Sequence, residues 1–447
     1  MASVPPAPAA DISSAQNWPE WRGPLHTGAA STGNPPVSWS ETNNIKWKVA
    51  IPGSGSATPI IWGDQIFIQT AIPAKKSGDA TAAKAAPVPD ASPGGPSSGR
   101  RRGGGGMQSE KPTDPYQFVL LSLDRQTGKT LWQKVVREEV PHEGVRENDG
   151  TFASPSPVTD GKHIFADFGS RGIYCLDLQG NLVWSRDLGR MRIKNEFGEG
   201  SSPALSGNAL ILNWDNEDGS FIAALDKKTG DVLWKTPRDE KTSWATPLVV
   251  ENGGRAEVIT CASGKIRSYD PASGKLLWEC AGLTANVIPT PVAANGLVYC
   301  ASGFRGNALL AIQLGRDGDL TGTDAIVWKL QKSTPYVPSP LLYGGKLYFL
   351  ASNNGIYSVV DAKTGQIVVE AERLEALKGV YSSPVGAGGH VYIAGRNGAV
   401  AVLNASAKVE VLAVNQLDEK FDASPAISGN ELFLRGKDHL YCIATAR

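Results

Sequence analysis

The chain has 447 residues, and its 44 Lys and Arg balance its 44 Asp and Glu. Such a balance lacks the excess positive charge that favours nucleic acid or an anionic membrane surface, so no nucleic-acid partner is expected. The 50 Gly, 30 Pro and 12 Trp, with 41% hydrophobic residues, are typical of a globular chain that has many turns. No apolar run approaches the roughly 18 residues that a spanning helix needs, which predicts a chain without a transmembrane segment.

Residues 1–44 are predicted to form an N-terminal linker and lead-in segment. Within it, Ala7-Pro8-Ala9 and the polar residues that follow are similar to the end of a signal-peptide cleavage region. We therefore expect a periplasmic or secreted protein, with the signal peptide itself not present in this chain. The alternative is an ordinary linker, because Pro- and Ala-rich starts are common in linkers too.

A repeat follows the linker and determines the predicted architecture. Each repeat opens with a Ser/Thr-Pro pair and continues with a short apolar strand, a glycine turn and two further apolar strands. Glycine suits these hairpin turns because they need a positive φ. After the second start, the pairs recur every 41 to 49 residues. The hydroxyl residues of the eight starts are Thr58, Ser154, Ser202, Thr246, Thr290, Ser339, Ser383 and Ser424.

A fourth strand completes each repeat. In four repeats the third strand ends in Asp and a turn then closes on Gly, as at Asp124 and Gly128, with a Trp four residues further on. Four strands per repeat form the blade of a β-propeller, and a Trp in phase with the turn is predicted to cap the gap between neighbouring blades. The predicted fold class is all-β, an eight-bladed β-propeller of four-stranded antiparallel blades. The predicted docking tryptophans are Trp47, Trp132, Trp184, Trp234, Trp278 and Trp328.

The eighth repeat ends without its Trp strand, and the segment 45–49 has the pattern of that strand. We predict that this N-terminal strand completes the last blade, so that residues 45–447 form one closed propeller without exposed sheet edges between its ends. Residues 74–115 are rich in Pro and Gly and have almost no large apolar side chains. They are predicted to be a disordered insertion within the first blade.

The run Leu123-Asp124-Arg125-Gln126-Thr127-Gly128-Lys129-Thr130-Leu131-Trp132 resembles the tryptophan-docking repeat of the PQQ-like β-propellers. That family includes quinoprotein alcohol dehydrogenases and the BamB-like group, and the resemblance extends from about Trp18 onward. Similarity to the BamB-like group implies a non-catalytic propeller of the bacterial cell envelope that engages protein partners. We expect an envelope protein or polysaccharide partner and a monomeric chain.

Similarity to the dehydrogenases implies a different activity. Those enzymes bind PQQ beside a disulfide between adjacent cysteines and coordinate calcium through Glu, Asn and Asp. The five cysteines of this chain are scattered, which favours small core side chains, and the calcium ligands do not match positions of this chain. No catalytic residue, metal site or cofactor is therefore assigned. A PQQ-dependent dehydrogenase-like enzyme with PQQ and calcium, or a carbohydrate-active enzyme, stays as the alternative.

The loops on one face of the predicted ring carry recurrent basic and aromatic residues. Arginine suits carboxylates and phosphates, and aromatic rings suit sugars, so these loops predict a mixed-charge funnel for an anionic ligand, a glycan or a peptide. The alternative is a set of salt bridges among adjacent loops. The candidate ligand-binding residues are Arg171, Lys265, Arg305, Arg396, Arg435, Arg238, Trp244, Asn286, Tyr336 and Tyr381.

Overall fold

The computed structural model describes residues 16–74, 111–146 and 149–445. The stretch 75–110, most of the predicted insertion, lies outside the described residues, as does the predicted cleavage region at Ala7-Pro8-Ala9. Within the described ranges, none of the helices has the length and apolar character needed to cross a membrane. The only helical segments longer than a single residue in these ranges are the 3-10 turns Gly169–Arg171 and Lys194–Glu196.

Eight antiparallel sheets confirm the predicted eight-bladed propeller. Each blade runs from an innermost strand beside the channel to an outermost strand at the rim. In that order, the strands of the first four blades are β2 (Ile60–Trp62), β3 (Gln65–Pro73), β4 (Tyr116–Asp124) and β5 (Thr130–Glu139); β6 (Val158–Thr159), β7 (His163–Asp167), β8 (Ile173–Asp177) and β9 (Leu182–Arg186); β10 (Ala204–Ser206), β11 (Ala209–Trp214), β12 (Ser220–Asp226) and β13 (Val232–Arg238); β14 (Leu248–Asn252), β15 (Arg255–Cys261), β16 (Ile266–Tyr269) and β17 (Leu276–Cys280).

The last four blades follow the same plan. A short strand, β21 (Gly318–Asp319), leaves blade 5 and pairs in parallel with β17, which gives blade 4 a fifth strand. The strands of these blades are β18 (Val292–Ala294), β19 (Leu297–Ser302), β20 (Ala308–Gln313) and β22 (Ile326–Leu330); β23 (Leu341–Tyr343), β24 (Lys346–Ala351), β25 (Ile356–Asp361) and β26 (Ile367–Arg373); β27 (Val385–Ala387), β28 (His390–Ala394), β29 (Ala399–Asn404) and β30 (Val411–Gln416); β31 (Ala426–Ser428), β32 (Glu431–Arg435), β33 (His439–Ile443) and β1 (Ile45–Ala50).

The N-terminal strand closes the ring as predicted. Strand β1 is the outermost strand of blade 8 and pairs antiparallel with β33, where Trp47 lies opposite Cys442. The inner strand β2 of blade 1 contacts both β6 of blade 2 and β31 of blade 8. The two ends of the chain therefore share one sheet, and the ring has no open seam.

The middle strands are largely buried and mostly apolar because blades pack face to face. Strand β11, for example, is buried at every residue, whereas the outermost strand β9 buries only Trp184 and leaves Leu182 and Val183 about half exposed. Apolar clusters fill the spaces between adjacent blades, so burial of both sheet faces supplies the core of the ring.

The tryptophan docking joins each outer strand to the next blade. At five of the six predicted positions the indole nitrogen donates to a backbone carbonyl of the following blade, at 2.9 to 3.1 Å. The ring also packs on the turn glycine, as Trp47 does on Gly128, whose φ is +72°. The acceptors of Trp47, Trp132, Trp184, Trp234 and Trp328 are Arg125, Leu178, Lys227, Pro271 and Ala362.

Trp278 differs because blade 5 lacks the Asp-to-Gly turn. Its indole nitrogen donates to the carboxylate of Glu257 in its own blade at 2.7 Å. The same buried carboxylate accepts the backbone N–H of Gly315 from blade 5 at 2.8 Å. A side chain thus replaces the missing turn carbonyl at this junction.

A belt of hydroxyl groups links the starts of the inner strands. The backbone N–H of Thr58 donates to the Ser156 hydroxyl at 2.9 Å, and the N–H of Ser156 donates to that of Ser202 at 2.9 Å. The pattern continues from blade to blade as far as Ser424. In blade 2 the belt uses Ser156, two residues beyond the predicted start at Ser154, since the sequence offers two consecutive Ser-Pro pairs there.

Residues 16–30 of the lead-in segment lie inside the ring. Trp18 forms a β-bridge with Ile61 of blade 1, and the Arg22 guanidinium donates to the carbonyls of Pro340 and Pro384 in blades 6 and 7. Trp18 is fully buried. The chain then runs outward along blades 7 and 8, where Trp39 N–H donates to Asn415, and reaches β1. The channel is therefore occupied by the protein's own N-terminal residues.

Candidate ligand cup

A cavity of about 770 Å³ lies at the centre of the ring, at the end where the inner strands begin. Belt residues Ser156, Ser202 and Ser424 line it, and so does Trp21, whose indole nitrogen donates to the Ser424 hydroxyl at 3.2 Å. The lead-in segment occupies the channel beneath, where Trp21 forms part of the wall of the cavity. We call it the cup.

Six of the ten predicted funnel residues line the cup. Trp244 is fixed by a hydrogen bond from its indole nitrogen to the Gly198 carbonyl at 2.8 Å, and Tyr336 stacks on Phe304 with ring centroids 5.4 Å apart. Asn286 accepts a hydrogen bond from the Lys194 ammonium at 2.9 Å. The lining members of the predicted set are Trp244, Asn286, Tyr336, Tyr381, Arg396 and Arg435.

The other four do not line the cup. Lys265 forms an ion pair with Glu279, and Arg305 is exposed on a turn with φ +51°, its guanidinium 5.4 Å from the Phe304 ring centroid. Arg171 is buried against Glu199, with Nη1 2.9 Å from Oε1.

Arg238 is the fourth and is the most enclosed. Its guanidinium makes two contacts with Asp215, Nε to Oδ1 at 2.7 Å and Nη2 to Oδ2 at 3.0 Å, and both side chains are fully buried. Nη1 donates to Thr260 and to the Tyr269 hydroxyl. Burial opposes the charge, but the attraction and hydrogen bond of Asp215 together with the attraction of Tyr269 and Glu240 raise the pKa of Arg238. Arg238 thus joins Asp215 of blade 3 to Thr260 and Tyr269 of blade 4, and all three of its guanidinium nitrogens have hydrogen-bond partners within the protein.

The charges of the cup are mixed, with five basic and three acidic lining residues. Each acidic residue has a cationic partner: Arg146 pairs with Asp149 at 3.1 Å, Arg171 with Glu199, and Arg396 with Asp422. The Arg396 guanidinium also lies 3.3 Å from the Tyr381 ring centroid, and the Tyr381 hydroxyl donates to Asp149 at 3.3 Å. Salt bridges between adjacent loops, the predicted alternative to a funnel, are therefore present at the cup, as in Arg171 with Glu199 and Arg396 with Asp422.

Arg435 differs from the other lining cations because it is buried. Its residue is 2% exposed, and Nη1 donates to the carbonyl of Ala57 at 3.0 Å. Among the described residues, no carboxylate forms an ion pair with it. Burial without a counter-charge lowers the pKa of the guanidinium to about 9, so it still carries its charge at neutral pH.

Sequence reasoning missed the hydroxyl groups beside Arg435. Ser56, Thr151 and Ser154 line the cup and are mutually hydrogen-bonded, with oxygen-to-oxygen distances of 3.0 to 3.3 Å. The only signal in the sequence is the density of small polar residues around the first two repeat starts. Sequence reasoning missed Trp21 as well, and the signal for it is a Trp-rich stretch that lies outside the repeat pattern.

An acidic group behind the wall of the cup has an altered pKa. Asp167 is buried, accepts the N–H of Gly169 at 2.7 Å and lies near Glu199. Burial, together with repulsion from Glu199, raises the pKa of Asp167 to about 7 despite that hydrogen bond. Its protonation therefore changes near neutral pH.

The lining residues do not fit the PQQ and calcium site that the dehydrogenase resemblance implies. The acidic residues of the cup are held by separate cations instead of facing one another, and the described part of the chain contains no group of three His, Cys, Asp or Glu arranged to hold a metal ion. Its five cysteines are buried, unpaired and away from the cup.

The tryptophan-docked blades define the protein as a PQQ-like repeat propeller. The family described as outer membrane protein assembly factor BamB matches residues 117–368, more than half of the chain. The chain belongs to this family.

Relatives within and beyond the family are distant. Outer membrane protein assembly factor BamB of Yersinia pestis is 22% identical over 256 residues, which cover 54% of this chain and 58% of that protein. BamB of Francisella salina is 26% identical over 174 residues, covering 38% of this chain and 30% of that protein. The chain thus matches less than two thirds of the length of these relatives.

Among solved structures, the quinohemoprotein alcohol dehydrogenase of Comamonas testosteroni is similar with a TM-score of 0.63 at 10% identity. The match covers 98% of this chain and 82% of that one. At such low identity the likeness shows the propeller fold and does not extend to activity.

Proposed function

We propose that this protein is a non-catalytic binding propeller of the bacterial cell envelope, and that the cup is where its ligand binds. The ligand would be an anionic small molecule, a glycan or a peptide. It would be either part of an envelope protein or polysaccharide partner, or a separate molecule bound to that partner. Family membership supports the envelope setting, because the matched relatives are named as outer membrane protein assembly factors.

The observation that carries the proposal is the cup together with Arg435, a buried cation that has no ion pair among the described residues. Burying a charged group is costly unless a partner offsets the lost hydration. Arg435 bears that cost beside about 770 Å³ of open space, and aromatic side chains such as Trp244 and Tyr336 line the same space. A concave site with a few fixed polar groups and aromatic walls is the usual form of a ligand site.

The test is capture from a detergent-solubilised bacterial envelope with the full chain immobilised. Bound proteins are identified by mass spectrometry and bound glycans by sugar analysis. Tyr336→Ala, which removes part of the wall, should lose the species that the unaltered chain retains, and Tyr336→Phe, which keeps the stacked ring, should retain them. Identical captured species with Tyr336→Ala, or capture that a cup variant never affects, would contradict binding in the cup.

A further inference from the structure

We propose that the cup holds the carboxylate of a small organic anion between the guanidinium of Arg435 and the hydroxyls of Ser56, Thr151 and Ser154. This inference rests on the proposed function, since it names the chemistry of the ligand that the cup would bind.

The backbone brings these groups together around Gly55. A Cβ atom at Gly55 would lie 2.5 Å from Arg435 Nη2 and 3.0 Å from the carbonyl of Ala153. The next residue along each chain segment, Ser56 and Ser154, carries a hydroxyl of the cluster. The absence of a side chain at Gly55 thus lets the guanidinium approach the two segments that carry them.

The donors match one carboxylate. Arg435 uses Nη1 for the Ala57 carbonyl and has its other nitrogens for an oxyanion. The hydroxyls of Ser56 and Ser154 now donate to Ser154 and to the Thr151 carbonyl, and each would turn from that partner to donate to the oxyanion. A charge-assisted hydrogen bond to a buried guanidinium would replace the hydration that Arg435 has lost.

The charges of the cup leave one buried cation for a ligand. The three acidic lining residues, Asp149, Glu199 and Asp422, are each paired with a cation. Arg435 is buried and has no ion pair among the described residues, and its one positive charge matches the single negative charge of a carboxylate.

The opposite wall suits an apolar or planar body. Trp244, Ile288 and Tyr336 come from the loops that precede the inner strands of blades 4, 5 and 6, whereas Arg435 and Ser56 belong to blades 8 and 1. In a ring of eight blades, blade 5 lies across from blade 1. A ligand whose carboxylate meets Arg435 therefore directs its other end at these side chains.

Isothermal titration of the full chain with phenylacetate, phenylacetamide and phenyl phosphate tests the assignment. We expect phenylacetate to bind and the neutral phenylacetamide to bind at least about tenfold more weakly, the loss of one charge-assisted hydrogen bond. Arg435→Gln should weaken phenylacetate by a similar factor. Arg192→Gln, which removes an exposed arginine outside the cup, should leave it unchanged.

Gly55→Ala guards against a folding defect in Arg435→Gln. The added methyl displaces the end of the Arg435 side chain without removing its charge, and it should also weaken phenylacetate while the thermal unfolding curve stays that of a folded chain.

Equal phenylacetate affinity in the unaltered chain, in Arg435→Gln and in Gly55→Ala would overturn the subsite. Equal affinity of the unaltered chain for phenylacetate and phenylacetamide would also overturn it. Tighter, Arg435-dependent binding of phenyl phosphate would overturn the carboxylate assignment. No phenylacetate binding to the unaltered chain would also overturn it, while the envelope capture with the Tyr336 variants would decide the proposed function separately.

Discussion

The indole nitrogen of Trp47 donates to the carbonyl oxygen of Arg125 at 3.0 Å, which ties the N-terminal strand of blade 8 to the turn of blade 1. Arg125 in turn binds blade 8, because its guanidinium donates to Glu431 at 2.7 Å and to the Ser428 carbonyl at 3.0 Å. The junction where the two ends of the chain meet is thus held from both sides.

Removing the indole ring of Trp47 from this junction should destabilise the whole propeller. Trp47→Ala removes a buried ring and its hydrogen bond and should lower the free energy of unfolding by about 3–5 kcal/mol. Trp47→Phe keeps most of the ring and should cost less, about 1–2 kcal/mol. Urea unfolding followed by fluorescence gives both values, and an unaltered midpoint for Trp47→Ala would contradict docking at this site.

The hydroxyl belt predicts different costs for two serines that are neighbours in sequence. Ser156→Ala leaves the buried N–H of Thr58 without its acceptor and should cost about 1–3 kcal/mol. Ser154→Ala removes a half-buried hydroxyl whose partners Ser56 and Thr151 also line the cup and can bond to water there, so it should cost less, about 1 kcal/mol or less. Chemical denaturation of the two variants compares them directly, and the reverse order would place the belt at Ser154.

Asp167 predicts a pH dependence of stability. Its pKa of about 7 in the folded chain is above the ordinary value of 3.8, so the folded state holds a proton that the unfolded state releases. The bound proton contributes its full stabilisation of the folded state below about pH 4. As the pH rises to about 7 this contribution is lost, which lowers the free energy of unfolding by a few kcal/mol.

Asp167→Asn cannot titrate and keeps an acceptor for the Gly169 N–H. Unfolding curves at pH 4 to 8 should therefore lose most of this dependence in the variant. If both proteins lose equal stability over that range, the dependence comes from another group.

The buried pair of Arg238 and Asp215 predicts an asymmetric response to substitution. Asp215→Asn leaves the guanidinium buried without its counter-charge and should cost about 3–5 kcal/mol. Replacing both, as Asp215→Leu with Arg238→Met, removes the uncompensated charge and should recover part of that loss. Urea unfolding of the single and double variants tests this, and a double variant less stable than Asp215→Asn alone would contradict it.

The repeats made the fold predictable, because strand, turn and Trp recur in register and neighbouring blades repeat the same contact. Trp278 shows the limit of prediction from the repeats. Its acceptor is the Glu257 carboxylate of a central strand, and the only sign that the usual turn carbonyl is replaced is the missing turn before Gly315.

The site was less predictable, because a loop residue's direction depends on its partner. Arg171 and Lys265 turn to Glu199 and Glu279, whereas Arg435 meets no acid among the described residues and reaches the cup. Nothing in the spacing of these cations separates them. The lead-in segment lies outside the repeat pattern, so its place in the channel had no periodic signal.

Hydrogen–deuterium exchange of the full chain with and without saturating phenylacetate tests the cup most directly as the ligand site. Binding there predicts slower exchange in segments 54–57, 151–156 and 435–437, and unchanged exchange in the outer strands. Protection that falls on the outer strands or the opposite end of the ring, or no protection at saturation, would contradict the account.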